Sequence, residues 1–514
     1  MALAYTPPGV SVRETVTPSI APLLAVPASV CLVGLAGNSA TSTTDPGGVI
    51  QKTELVKLTG TASIPLTVPS DATMQTQSST TVGAIKEVVD YYSPNLTQAS
   101  PYVWTTDWTF NATTKTIARV SGGTIPDGAT VRVTYTYTSA DYWNPIRLTS
   151  MGDIEERFGK AWNTAGTGIY SPLSFAAMCA LENGAQDIVL QPLFFDNAGV
   201  KQQPTDAQHA ATAAWTSTFT NLRDYEDINV VVPIIGQSQT TVNDAAVVGV
   251  HQVVQDFVKF MKGEQQYVVG ILGEDNSTGA MSTPLTTPRT HAAQLQARYG
   301  GEVNEQLCLI APSKFSRPLP NVYTGSLFVG GQYVAAGIAG AIAARPVSSP
   351  LTRKALAGVS GVAETRTKSD KNTDAASGLM VVEQRGQLVQ IRHSLTLDTT
   401  STTKRELSIV RAKHRVVESV RNTLEEQVIG NVIADDQAPL VVRNAVIGVL
   451  DSLRGYGDIV NFSNVQARYV SLDPTTIEVR FSYKPAFPLN YVNVIFSLDL
   501  TSGDVTLPTS NSTF

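Results

Sequence analysis

Hydrophobic and polar positions change their rhythm several times along the chain. Near the start, Val10 and Val12 alternate with Ser11 and Arg13, so Gly9 to Thr15 predicts a short strand. Pro7 and Pro8 precede it, and Pro18, Pro22 and Pro27 follow. Proline cannot donate to a ladder, so this segment belongs at a sheet edge, on a tether. "SVCLVGLAG" (29–37) predicts the first core strand. Residues 49–142 alternate in "TKTIARVSG" and "ATVRVTYTYT" between the turn signals "SGG" and "PDG", which predicts a small all-β sandwich or barrel. From 171 to 312, helix-like stretches alternate with the apolar runs "DIVLQPL", "INVVVPII", "YVVGILGE" and "QLCLIAP". Continuous β-branched runs between amphipathic helices predict a mostly parallel sheet covered on both faces. An apolar helix over 332–344 follows, then a loop rich in Ser, Lys and Asp to about 378.

The last third has its own pattern. "GQLVQIRHSLTLD" is a strand candidate. Ile409, Val410, Val416, Val417, Val420, Leu424 and Val428 share about 120° of a helical wheel, the width of one core-facing stripe. A second helix, about 438–454, stops at Gly455 and Gly457. Ile477, Val479, Phe481 and Tyr483 alternate with polar residues, and Val492, Val494, Phe496, Leu498 and Leu500 do so again. The expected fold class is multidomain α/β. Its α/β core, with a mostly parallel sheet, spans 28–48 and 143–375, and an all-β domain is inserted over 49–142. An inner α+β domain covers 376–490, and strand-forming arms cover 1–27 and 491–514.

Composition narrows the function. At 514 residues the chain is long for one core. Charged residues make up only 16%, against about 25% in an ordinary soluble protein. That depletion fits surfaces buried against partners, and equally a threonine-rich β surface in water. A net charge of −6 gives no field that gathers nucleic acid or anionic lipid. Cys31, Cys179 and Cys308 are too few and too far apart for a disulfide framework or a zinc site, and read as buried thiols. No secretory signal or membrane-spanning run is apparent, so the expectation is a soluble protein made in a cytoplasm.

Catalytic motifs are not legible. His209, His251, His291, His393 and His414 lack metal-ligand spacing, and each reads as structural or solvated, although folding could bring two together. "GLAG" is an incomplete dinucleotide motif, no phosphate-binding loop occurs, and "GVSG" is not a nucleophile elbow. "GEDNSTG" (273–279) offers Glu274, Asp275 and Asn276 to a cation, but without EF-hand spacing a polar loop is the favoured reading. "RAKHR" (411–415) reads as a solvated ion-pair face near Glu418 and Glu425, or as a contact for an acidic partner. No catalytic, metal or cofactor residues are assigned, and no enzyme activity is expected.

The order of the segments carries a resemblance. "YTPPGVSVRE", "VCLVGLAG", "NPIRLTSMGDIEERFG", "YVAAGIAGAIAARPVSSPLTRKALAGV", "RGQLVQIRHSLTL", "RVVESVRNTLEEQVIGN" and "YVNVIFSLDL" follow one another as in the contractile tail sheath proteins of myovirus-type bacteriophages. The chain resembles that family and, more distantly, the sheaths of contractile injection systems. The resemblance implies a virion subunit, synthesised in the host bacterial cytoplasm, that polymerises helically around a tail tube and contracts. It implies a tail tube protein, baseplate and tail terminator proteins as partners, with no direct nucleic acid and no membrane insertion. It also implies that Val10, Ser11, Val12 and Arg13 form a strand donated to a neighbouring copy. Val492, Val494, Phe496 and Leu498 would then join the shared sheet, beside Ile477 to Tyr483. Arg411 and Arg415 become candidates for touching the tube. Donating one such strand nets close to zero, since a few ladder bonds at ~0.5–1.5 kcal/mol each and two buried valines at ~1.5–3 kcal/mol each offset ~1–2 kcal/mol per ordered residue. Assembly is therefore expected to be collective. The rival reading is an α/β hydrolase whose inserted β-domain binds carbohydrate.

Overall fold

The computed structural model describes residues 29–37, 48–76, 83–91, 101–225, 228–235, 244–279, 281–320, 325–471, 473–488, 497–498 and 505–506. The short apolar runs assemble into one eight-stranded sheet. Its strands are β1 (Val30–Gly34), β2 (Ile146–Leu148), β3 (Ile188–Pro192), β4 (Val230–Ile234), β5 (Val269–Gly273), β6 (Leu307–Ala311), β7 (Leu379–Arg385) and β8 (Leu388–Ile391). Their spatial order is β8-β7-β6-β5-β4-β1-β3-β2. The six inner strands run parallel, and β2 and β8 close the two edges antiparallel.

Both faces are covered, which is why the inner strands can be apolar at every position. Within β1, Val30 and Leu32 join one core and Cys31 and Val33 the other, because successive side chains of a strand point to opposite faces. One face carries helices α1 (Pro172–Glu182) and α4 (Gly331–Ala343). The other carries Trp215 and Phe219, α2 (Asp244–Gly263) and α3 (Thr287–Arg298). Ser171 accepts a hydrogen bond from the Ser174 N–H and Pro172 opens α1, a standard start signal. α1 and α4 pack so closely that a Cβ on Gly340 would collide with the Ala180 carbonyl oxygen. The three cysteines are buried and free. Among the described residues no helix is long and apolar enough to cross a membrane.

Between β1 and β2 lie two three-stranded antiparallel sheets, one of Val49–Leu58, Ala129–Thr138 and Ile85–Asp90, the other of Ile64–Pro65, Thr116–Arg119 and Trp108–Asn111. They share a core that includes Leu58, Leu66, Trp108, Ile117 and Val131. The first and last strands pair from Val49 with Thr138 to Leu58 with Ala129. Entry and exit are thus side by side, so the segment interrupts a loop without prising the central sheet apart.

Three expectations are corrected. The C-terminal domain expected over 376–490 does not include its first strands: β7 and β8 belong to the central sheet, with Leu309 paired to Leu379. The buried run "LMVV" makes β7 an inner strand like the others. The polar stretch before it is not all loop, because Lys368–Ala376 is a helix. A capping box between Thr367 and Asp370 starts it, and the buried Asp374 binds Arg289 at 2.6 Å and Arg366 at 2.7 Å. Finally, the helix-like stretch "AQHAATAAWTSTFTNLRDY" (207–225) breaks at Thr212, whose φ of 61° separates Asp206–Ala210 from Ala213–Asn221.

Candidate assembly site

Two long helices, α5 (Leu407–Gln427) and α6 (Ala438–Gly455), are covered by a ribbon of two antiparallel strands, Ile459–Val470 and Asp473–Pro485. Val416, Val420, Val446, Val449, Leu450 and Leu453 form the helical side of this core. Phe462, Val479, Phe481 and Tyr483 close it from the ribbon, and Ile477 packs in the adjoining cluster. The expected alternation is present, but Ile477, Val479, Phe481 and Tyr483 are only half-buried. No third strand pairs with the ribbon among the described residues. Among the described residues neither outer edge of the ribbon carries a neighbouring strand, although Arg443 Nε donates to the Val465 carbonyl at 3.0 Å. Val460, Val470 and Phe487 add exposed apolar surface, at 53, 40 and 53% accessibility.

Val10, Ser11, Val12 and Arg13 lie outside the described residues, as do Val492, Val494 and Phe496. Leu498 lies on a two-residue strand, Ser497–Leu498, paired antiparallel with Val505–Thr506.

Arg411 and Arg415 are not on a solvated face, so the reading of "RAKHR" as a solvated ion-pair face is corrected. Arg411 is 5% exposed and donates to the Ile342 carbonyl at 3.2 Å, near the C-terminus of α4. Burial lowers its pKa to about 10. Arg415 pairs at 2.9 Å with Asp458, whose carboxylate is fully buried. The rest of this helix face follows suit. His414 stacks on Tyr267 at 4.8 Å between centroids, Glu418 accepts the Tyr267 backbone N–H at 3.2 Å, and Lys413 pairs with Glu305. α5 thus buries two faces, an apolar stripe against α6 and the ribbon, and a polar stripe against the central unit. Periodicity exposes only the first. The second is written in charged residues, whose default reading is solvent.

A further convergence escaped the linear spacing. His251 on α2, Glu274 just after β5 and His291 on α3 come together in a fully buried cluster. His291 Nδ1 lies 2.8 Å from Glu274 Oε1, and His251 Nδ1 lies 3.9 Å from the same oxygen. Burial pulls the His251 pKa down to about 4. Burial opposes charge on His291 too, but the hydrogen bond and charge of Glu274 outweigh it and raise that pKa. "GED" is therefore no surface loop. Gly331 N–H donates to the Glu274 carbonyl at 2.6 Å, and Gln332 donates to Asp275 at 3.0 Å. A Cβ on Gly273 or Gly330 would collide with this contact. The nearest legible signal was the pair of glycines flanking a polar loop.

No family model matches the chain. In sequence it is similar to the tail sheath protein of Mycobacterium phage Bxz1, 31% identical over 399 residues, or 76% of this chain. The chain spans 62% of that protein's length. In fold it is similar to the anti-feeding prophage helical sheath in its contracted state, with a TM-score of 0.53 at 12% identity over 96% of this chain and 100% of that one. It is likewise similar to the PVC sheath complex of an extracellular contractile injection system in its contracted state, with a TM-score of 0.52 at 11% identity over 97% and 99%. In sequence the chain is thus similar to a phage tail sheath protein, and in fold to the sheaths of contractile injection systems.

Proposed function

We propose that this chain is the structural subunit of a contractile tail sheath in a bacteriophage or phage-derived particle. Many copies stack helically around a tail tube in an extended, kinetically trapped arrangement. On triggering, the subunits rotate nearly as rigid bodies, bury more complementary surface and drive the tube through a bacterial envelope. The arms, residues 1–27 and 491–514, keep neighbours linked by adding strands to the ribbon of another copy. The tube, baseplate and terminator proteins are the further partners. The observation that carries this reading is the ribbon itself, a half-buried sheet with only two strands among the described residues, in a chain similar to a sheath protein. A two-stranded sheet is marginal alone, and added strands complete its ladder and cover its side chains. The hydrolase reading is not supported, since the similar proteins are sheath proteins.

Removing residues 1–15 tests the linkage. The truncated subunit is expected to stay folded, with an unchanged circular dichroism spectrum, and to form no tubes under electron microscopy. Tubes of normal length and yield from the truncated chain would overturn strand donation by the N-terminal arm.

A further inference from the structure

The cluster of His251, Glu274 and His291 has no part in strand exchange. Its surroundings satisfy it poorly: Glu274 Oε2 has no hydrogen-bond partner, and the His251 ring, fully buried like Glu274, has only the Gly273 backbone and a 3.9 Å contact to Glu274 Oε1. Buried polar atoms are normally paired, and a buried carboxylate is paired or bound to a metal. The donors come from three elements, two imidazole nitrogens and one carboxylate oxygen, and one atom from each lies within 4.8 Å of the others. Around a tetrahedral zinc ion, with bonds of about 2.0–2.1 Å, ligand atoms stand roughly 3.3 Å apart. The two recorded separations to Glu274 Oε1, 2.8 and 3.9 Å, fall on either side of that value.

We propose that His251, Glu274 and His291 bind one divalent transition-metal ion of the zinc class. The imidazoles select zinc and the later first-row metals over calcium and magnesium, which prefer all-oxygen sites. A water molecule supplies the fourth ligand. Binding expels the proton shared between His291 Nδ1 and Glu274 Oε1, because a metal-bound imidazole nitrogen carries none. The ion then staples α2, the end of β5 and α3 on one face of the central sheet. Through the packed Glu274–Gly331 backbone contact, it also steadies the start of α4 on the other face. The role is structural: one ion cross-links three elements of a subunit body that must turn without deforming.

The test uses the untagged full-length chain, stripped with a chelator, re-equilibrated with zinc and separated from free metal. Elemental analysis should find about one zinc per chain. Glu274→Gln and His291→Asn should each weaken binding by at least ~30-fold, as loss of one of three protein ligands demands. Cobalt(II) in place of zinc should show the intense visible bands of a four-coordinate site and release protons on binding. Zinc far below one per chain, or equal zinc in wild type and both variants, would overturn the site. Should a variant fail to fold, the wild-type cobalt spectrum decides, because weak six-coordinate bands contradict the proposal on their own.

Discussion

The eight-stranded sheet and the two-stranded ribbon solve opposite problems with the same backbone. The inner strands β1, β3, β4, β5 and β6 are five residues each and buried at every position. The sheet ends in antiparallel edge strands of only three and four residues, so little ladder is left open. The ribbon strands run 12 and 13 residues, half-buried on one face, with no third strand beside them among the described residues. Long open edges invite other chains and are avoided in proteins that act alone. Among the described residues, one region closes its own sheet and the other does not.

Four substitutions probe that contrast. Arg411→Glu places a buried anion near Asp458 where a buried cation now binds the Ile342 carbonyl. It should cost the subunit about 3–5 kcal/mol, read in denaturant unfolding. A normally stable Arg411→Glu subunit would return that side chain to the surface, where a tube could touch it. Ile271→Ala empties a fully buried position in β5 and should cost about 2–5 kcal/mol in the same measurement. A smaller loss would mean that the central sheet is no more closed than the ribbon.

Glu418 gives the third test. Burial pushes its carboxyl up to about 7 from an ordinary value of 4.5, so the fold favours the protonated acid. The stabilisation is complete below the ordinary value and is lost as pH rises through about 7. Glu418→Gln should remove this loss and make the subunit about 2–3 kcal/mol more stable than wild type at pH 8. Parallel pH curves for the two proteins would show that the polar seam beneath α5 is open to water. The smallest effect on the subunit belongs to Val460→Asp on the ribbon, at 53% exposure. Unfolding should move by less than about 0.5 kcal/mol, while tube formation falls sharply in light scattering. Unimpaired tubes would mean that this face of the ribbon is never covered.

Much of the fold was legible because burial on both faces leaves an unmistakable trace. "VCLVG", "VVVPI" and "LCLIA" have no polar residue, and only a covered parallel sheet accommodates several such runs between helices. Lys368–Ala376 was not legible, since its composition is that of a loop and Asp374 makes sense only beside Arg289 and Arg366. The assembly site was half legible. Alternation over Ile477–Tyr483 gave the strand, but an unpaired edge is a property of neighbours and cannot be seen in one strand.

What the sequence alone determined is local: periods of two and 3.6, proline-broken tethers, and capping and turn residues. All are set by backbone geometry within a few residues. What the tertiary structure alone decided is which polar groups leave water. Arg411 and His414 went to a buried seam, and His251 and His291, 40 positions apart, met at Glu274. A charge's cost depends on its partners and its distance from solvent, and both are set by the meeting of remote segments.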